Sequence, residues 1–313
     1  MTETALRYLL EALNAGSMRA ASDRLNIAPS SISRHIAQLE NDFGLPLIEK
    51  GRRNIQLTQA GELVISYFRD QLASREALSS RLDDLRRVVR GKAVLAVGEG
   101  FLSDSFVAML NSFHVANPGV ETHLIIGSSQ EIVRAVVEDE AHLGLVMQAP
   151  HDPKIQVRSS VAQPLTAVVS PSHPLAALES VSLAGLKDHA MCLPPPHFRL
   201  RQLLEQAEMR QNIFLEPAMV TGSIYVMRQM AIAGSAVAIL PDLAVSFDCE
   251  QGRLVRIAIE DDALEHATVS LILRAGRQLE GGALRLLPLL EGQLRRWQAS
   301  NPRAVADRSA APA

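Results

Sequence analysis

Two cysteines, one tryptophan and three tyrosines in 313 residues set the first limits on this chain. Cys192 and Cys249 stand 57 positions apart, with no CxxC and no histidine at metal-ligand spacing. That excludes a disulfide framework, and buried structural thiols are the expectation ahead of a redox pair. Aromatics supply 4% of the residues against 47% hydrophobic overall. A chain rich in Ala and Leu favours helical and α/β packing over an aromatic-rich β sandwich. No apolar run approaches the roughly 20 residues of a membrane span. The opening "MTETALRYLLEALNAG" lacks a basic leader, an uninterrupted apolar core and a cleavage site, so no signal peptide and a cytoplasmic location are expected. Charge of one sign is missing too: 31 Lys plus Arg oppose 34 Asp plus Glu, a net charge of -3. Nucleic-acid binding is neither required nor excluded by that balance, because the electrostatic footprint belongs to one face. There is no GxxxxGK[ST], HExxH or GxSxG, and His114, His123, His142, His151 and His173 are scattered without a nucleophile or metal partner. No cofactor is expected.

What is present begins with helices. Leu6, Leu9, Leu10 and Leu13 recur at three- and four-residue steps, predicting an amphipathic helix that ends near Gly16. Ser17 suits the N-cap of a second helix, Met18 to Leu25, whose Ala20 and Ala21 let another helix cross closely. After a short turn, Pro29 fits the first position of a third helix. There Ile32, Ile36 and Leu39 are spaced i, i+4, i+7 and must face a core. Ser30, Ser33, Arg34 and Ala37 then line the other side. A small polar face lets a helix backbone sink into a DNA major groove, where an arginine reaches a guanine edge or a phosphate. Serines alone would read as a solvated face; two preceding helices at helix-turn-helix spacing favour DNA. Downstream, Ile48 with alternating Ile55 and Leu57 predicts two short strands around "KGRRN", a wing whose Lys50, Arg52 and Arg53 would touch phosphate. The predicted DNA-contacting residues are therefore Pro29, Ser30, Ser33, Arg34, Lys50, Arg52 and Arg53.

The stretch "AASDRLNIAPSSISRHIAQLENDFGLPLIEKGRRNIQLTQAGE" resembles the winged helix-turn-helix of the LysR-type transcriptional regulators, most specifically over residues 18 to 61. The rest is similar to their effector domain in length and element order. Where the family's recognition helix opens Ser-Gln-Pro-Ala, this chain has Ala28, Pro29, Ser30 and Ser31, so readout by a glutamine and an N-cap serine are both missing. The family's Ser-Arg pair is retained as Ser33 and Arg34. Met18 replaces an aromatic, and Ile48, Glu49 and Lys50 replace Phe-Glu-Arg. The resemblance implies an α/β protein: an N-terminal winged helix-turn-helix, a long linker helix and a two-lobed, periplasmic-binding-protein-like α/β effector domain. It also implies double-stranded operator DNA, a small-molecule effector and a second copy of the chain as partners, and no membrane.

From Gln59 to Arg90 there is no proline, and positions 64, 68, 71, 75, 78, 82, 85 and 89 step by four and three. A 3.5-residue repeat predicts a helix that pairs with another helix, making a homodimer or a dimer of dimers. After Gly91, strands alternate with helices, "AVLAVGEG", "SDSFVAMLNSFHVANPG", "ETHLIIG", "SSQEIVRAVVEDE" and "HLGLVM", which predicts parallel sheets. The late strand "ATVSLIL" and helix "GALRLLPLLEGQLRRW" suggest a return to the first lobe, with a hinge near 160–163 and 262–267. The expected organisation is a DNA-binding domain at 1–58, a linker helix at 59–90, and an effector domain at 91–300. Within the last, lobe I takes about 91–161 and 267–300, and lobe II about 162–266. A disordered tail is expected at 301–313.

Ligand chemistry in such a domain belongs at strand ends and helix starts. Gly98-Glu99-Gly100-Phe101-Leu102-Ser103 has two glycines of a GxGxxG, but Ser103 takes the place of the third, so a dinucleotide site is disfavoured. As an anion-accepting turn it joins "GSSQ" and "TGSI". Singly, each serine reads as a helix cap. Together they predict a cleft formed by Gly100, Phe101, Ser103, Ser128, Ser129, Gln148, Thr221 and Ser223, with His197 and Arg199 from the second lobe. In the resembling family such a cleft binds a small inducer, often a carboxylate. A regulator modulated by that effector, an anion among the candidates, is the function expected. An α/β enzyme with an accessory helix-turn-helix lacks a catalytic motif, and an exported solute-binding protein lacks a leader.

Overall fold

The computed structural model describes residues 2–49, 54–85 and 91–299, without the side chains at 80, 81 and 83–85. The chain folds as two units, Met1–Leu78 and Ser79–Ala313.

In the first unit, α1 (Glu3–Ala15) starts on Thr2, whose hydroxyl accepts the Ala5 N–H, and ends on Gly16 in the left-handed conformation at φ 73°. Ser17 caps α2 (Met18–Leu25) by accepting the Ala20 N–H at 3.1 Å. Asn26, at φ 54°, closes it, and after a three-residue turn α3 (Pro29–Phe43) begins with proline at its first position and no side-chain cap. Leu6 and Leu9 of α1, Ala21 of α2, and Ile32, Ile36 and Leu39 of α3 are all buried in one core. Burying the i, i+4, i+7 stripe of α3 fixes which of its faces remains outside.

Ahead of α4 (Gln59–Leu85) the chain makes a short antiparallel arm. Two strands are expected here, but among the described residues only a single bridge forms, Ile48 with Leu57. Two backbone bonds close it, Glu49 N–H to the Gln56 carbonyl at 2.9 Å and Thr58 N–H to the Leu47 carbonyl at 3.0 Å, while other donors of the arm are committed elsewhere. Leu47 N–H and Ile48 N–H donate to the Glu40 carboxylate at 2.7 and 3.3 Å, and Ile55 N–H donates to the Gly16 carbonyl at 3.0 Å. Leu47 and Ile55, on either side of the bridge, therefore have no N–H left to extend it. Lys50, Arg52 and Arg53 lie outside the described residues. Gly61 sits where a Cβ would come within 2.1 Å of the Leu47 carbonyl oxygen, so the close approach of α4 to the arm requires glycine.

The 27 residues of α4 span about 40 Å. Its packing differs from the expected 3.5-residue seam. Phe68, the second position of that seam, is buried with Ile65 in the core of the first unit, because the helix start must cover α1 and α3. Among the described side chains of α4 the large apolar residues left exposed are instead Leu63, Tyr67, Leu78 and Leu82, at 71%, 48%, 59% and 49% accessibility. The last two keep the expected positions; the Leu85 side chain and Val89 fall outside what is described.

The second unit holds two sheets. The first is ordered β2 (Val120–Ile126), β1 (Gly91–Val97), β3 (Leu143–Met147), β11 (Thr268–Arg274), β4 (Ile155–Ala162). Its helices are α5 (Asp104–Ala116), α6 (Ser129–Val137) and α12 (Gly281–Ala299). The second sheet is ordered β6 (Ser180–Val181), β10 (Val255–Ile259), β5 (Leu165–Val169), β9 (Val237–Pro241), β7 (Met191–Leu193), β8 (Pro217–Val220). With it go α7 (Leu183–Leu186), α8 (Arg199–Gln211), α9 (Ile224–Ile232), α10 (Asp242–Glu250) and α11 (Asp262–Glu265). Both sheets are mixed, where parallel ones are expected. β11 runs antiparallel to β3 and β4, and β5 antiparallel to β9 and β10. These strands adjoin the crossings between the two sheets and are not joined to their neighbours by βαβ crossovers within one sheet, so they run antiparallel to them.

The crossings run from Ala162 to Leu165 and from Ile259 to Thr268. They are tied together where Gln163 N–H donates to the Ala267 carbonyl at 2.8 Å. The Gln163 side chain, fully buried, donates to the Trp297 carbonyl of α12 at 3.3 Å and accepts the Leu243 N–H of α10 at 3.1 Å. One buried amide thus joins the two lobes beside the crossing strands.

Candidate functional site

Two regions carry the predicted chemistry, one in each unit. On α3, Pro29, Ser30, Ser33 and Arg34 are exposed, as are Ala37 and Gln38. No hydrogen bond or ion pair among the described residues engages the side chains of Ser33 and Arg34, so both are available to an outside partner. Ser31 and His35 turn the other way. His35 Nδ1 lies 2.8 Å from the Ser31 carbonyl, and its ring meets Tyr8 of α1 edge-on, centroids 5.1 Å apart at 81°. That contact seats α3 on α1.

In the second unit, the C-terminal end of β1 leads into the turn Glu99–Phe101, and Gly98, Glu99 and Gly100 edge an interlobe cavity of about 70 Å³. Its walls include Gly100, Phe101, Ser128, Ser129 and Arg199 from the predicted set, together with Glu99, Phe198 and Ile224. Ser103, Gln148, His197, Thr221 and Ser223 are outside those walls. Phe101 is buried and stacks on Trp297 at 6.0 Å, which makes it part of the lobe's packing as well. Ser103 caps α5, accepting the Phe106 N–H, and borders a separate cavity of about 500 Å³. Gln148, at φ 48°, turns its amide oxygen to the N–H and hydroxyl of Thr268, at 3.2 and 2.8 Å, bracing the return strand. His197 is exposed beside the Phe198 ring, and Thr221 accepts the Ser223 N–H at 3.2 Å.

The helix starts at this cavity differ in how their N–H groups are satisfied. At α6, Ser128 and Glu131 form a reciprocal cap: the Ser128 N–H and hydroxyl donate to Glu131 Oε2 at 2.7 and 2.8 Å. The backbone N–H of Ser128, then its hydroxyl, hold the Glu131 carboxyl below its ordinary range, with smaller help from Arg134 and His197. At α9, the donors go to a residue absent from the sequence prediction, Glu99. Its Oε1 accepts the Ser223 hydroxyl at 2.9 Å and the Tyr225 N–H at 3.3 Å, and its Oε2 accepts the Ile224 N–H at 3.0 Å. Glu99 stands 124 positions from Ser223, so no local pattern announces the pairing. At α8, Phe198 offers no side-chain cap, and Arg199 Nη1 reaches only Gln202 at 3.3 Å while its buried Nε has no acceptor. Among the described residues no cluster of His, Cys, Asp or Glu is placed to hold a metal ion, and no helix is long and apolar enough to cross a membrane.

Two family models together match most of the chain: the bacterial regulatory helix-turn-helix protein, lysR family, over residues 4–62, and the LysR substrate binding domain over residues 86–295. The chain belongs to the LysR family of transcriptional regulators. It is similar to the RuBisCO operon transcriptional regulator of Allochromatium vinosum, 23% identical over 290 residues, covering 91% of this chain and 95% of that protein. In fold, this LysR-type regulator is similar to a full-length OxyR from Pseudomonas aeruginosa, with a TM-score of 0.66 at 17% identity, over 94% and 95% of the two chains. It is also similar to full-length CbnR complexed with its target DNA, TM-score 0.52 at 22% identity, over 95% and 100%. As a transcriptional regulator it is DNA-binding and not an enzyme, which settles the alternative of an α/β enzyme with an accessory module.

Proposed function

We propose that this LysR-type regulator reads double-stranded operator DNA with the exposed face of α3 and answers to a small molecule received between its two lobes. The observation that carries the reading is the pair Ser33 and Arg34, exposed on the side of α3 opposite the buried Ile32, Ile36 and Leu39. Pro29 and Ser30 let the helix start approach the groove, Arg34 supplies a planar fork of donors for a guanine edge or phosphate, and Lys50, Arg52 and Arg53 add phosphate contacts. Such a protein works where the DNA is, in the cytoplasm.

The exposed Leu63, Tyr67, Leu78 and Leu82 of α4 support pairing of that helix with a second copy, as a homodimer or a dimer of dimers. Two copies present two reading helices to a two-fold operator. The working division is a DNA-binding part at 1–58, a linker at 59–90 and an effector part at 91–300. Effector binding would shift operator contact only through different affinities for two lobe arrangements. Gly100, Ser128, Ser129 and Arg199 are the wall residues proposed to meet the effector.

A gel shift on the duplex upstream of the protein's own reading frame tests the DNA half. Wild type is expected to retard that duplex, and Arg34→Ala to lose most of the retardation. Equal retardation by both would remove α3 as the reading element.

A further inference from the structure

Both capped helix starts at the cleft already hold a carboxylate from the chain itself. Glu131 serves α6 within lobe I, and Glu99 of lobe I serves α9 of lobe II. The second case crosses the cleft. The Ser223 hydroxyl and the first two N–H groups of α9 form a donor set suited to an anion, and both Glu99 oxygens fill it. The residual cavity of about 70 Å³ falls well short of the roughly 300 Å³ at which small-molecule pockets begin, and at its edge Glu99 bridges the two lobes.

We propose that Glu99 is a built-in ligand of α9: it latches the lobes together without an effector, and it determines that the cleft refuses simple carboxylates at that helix. An incoming carboxylate would have to displace one already covalently tethered, and would then sit beside it at like charge. The effector class that fits the occupied cleft is one that brings hydrogen-bond donors or positive charge toward Glu99. Any acidic group on it is directed to the other side, to the guanidinium of the wall residue Arg199 at the start of α8, whose Nε has no acceptor within the chain. Such a molecule opens the latch by competing for Glu99, not for Ser223.

This inference rests on the cleft being the effector site, and the latch itself is tested by ligand binding alone, apart from DNA. Malonate binding to the full chain is measured by calorimetry for wild type, Glu99→Ala and Glu99→Gln. Wild type is expected to show no saturable binding, and Glu99→Ala to bind malonate at least tenfold more tightly than wild type, with a malonate-dependent rise in melting temperature. Adding Ser223→Ala to Glu99→Ala is expected to remove the gain. Should Glu99→Ala not fold, Glu99→Gln, which keeps the shape and loses the charge, is expected to gain malonate binding in the same sense. Wild type binding malonate as tightly as the variants, or folded variants gaining none, would overturn the proposal. A gain of malonate binding in Glu99→Ala with no effect of malonate on that variant's operator affinity would leave the latch standing and count against the effector reading.

Discussion

Tyr8 meets the ring of His35 edge-on at 5.1 Å, and with it α1 fixes the roll of α3 about its own axis. Because His35 Nδ1 is also held against the Ser31 carbonyl, His35→Ala loses two constraints on the reading helix. The expected cost is about 1 kcal/mol, read as a lower denaturation midpoint of the full chain, with weaker operator binding and unchanged ligand response. Unaltered stability and DNA affinity would show that the pair does not seat α3.

A charge placed in the exposed stripe of α4 tests self-association. Leu78→Glu combined with Leu82→Glu puts two carboxylates where an apolar contact is proposed. Sedimentation velocity is expected to show a loss of at least one association step relative to wild type. An unchanged sedimentation profile would assign the oligomer to some other surface.

Much of the first unit is legible in the sequence because its determinants are local. The i, i+4, i+7 stripe of Ile32, Ile36 and Leu39, the cap at Ser17 and the proline start at Pro29 each depend on residues within one or two turns. Features depending on distant partners are not legible there. Phe68 leaves the predicted seam because α1 and α3 need a cover. The polarity of β11 and β5 depends on how the chain crosses between sheets, and strand periodicity is the same in either direction. At the wing the Leu47 donor goes to the Glu40 carboxylate of α3 and not to the facing strand. Glu99 sits in a turn that stands out for its glycines, yet its partners lie on α9, far along the chain. The signal available is an acidic residue at a strand end facing the first N–H groups of a distant helix, which needs the topology before it has meaning.

The thiols are expected to be inert. Burial pushes Cys249 up to about 11 and raises Cys192 as well. Since the thiolate is the reactive form, a value near 11 leaves about one thiol in ten thousand ionised at pH 7. A thiol-specific disulfide reagent is expected to label the native chain on the order of 100-fold more slowly than the denatured chain. Peroxide is expected to leave operator binding intact. Fast labelling in the folded state, or a peroxide-dependent change in DNA affinity, would restore a redox role despite the burial.

The cap at α6 carries a pH dependence of known sign. Glu131 has its carboxyl held below the ordinary range by Ser128, so the cap's contribution is complete above the unfolded value of about 4.3. It is lost as pH falls through the lower folded value. Solvent exposure keeps the effect small. In Glu131→Gln the acid limb of the stability profile is expected to be flatter than in wild type, and Ser128→Ala is expected to cost about 1 kcal/mol. Identical acid limbs for wild type and Glu131→Gln would contradict the assigned cause.

Whether α3 is the reading element is decided by the operator affinity of Arg34→Ala, followed across a series of salt concentrations on the selected duplex and on a scrambled one. The expected result is a loss of about 1–3 kcal/mol on the selected duplex and much less on the scrambled one, so that discrimination between the two collapses. Equal affinities of wild type and Arg34→Ala for the selected duplex at every salt concentration would refute the assignment.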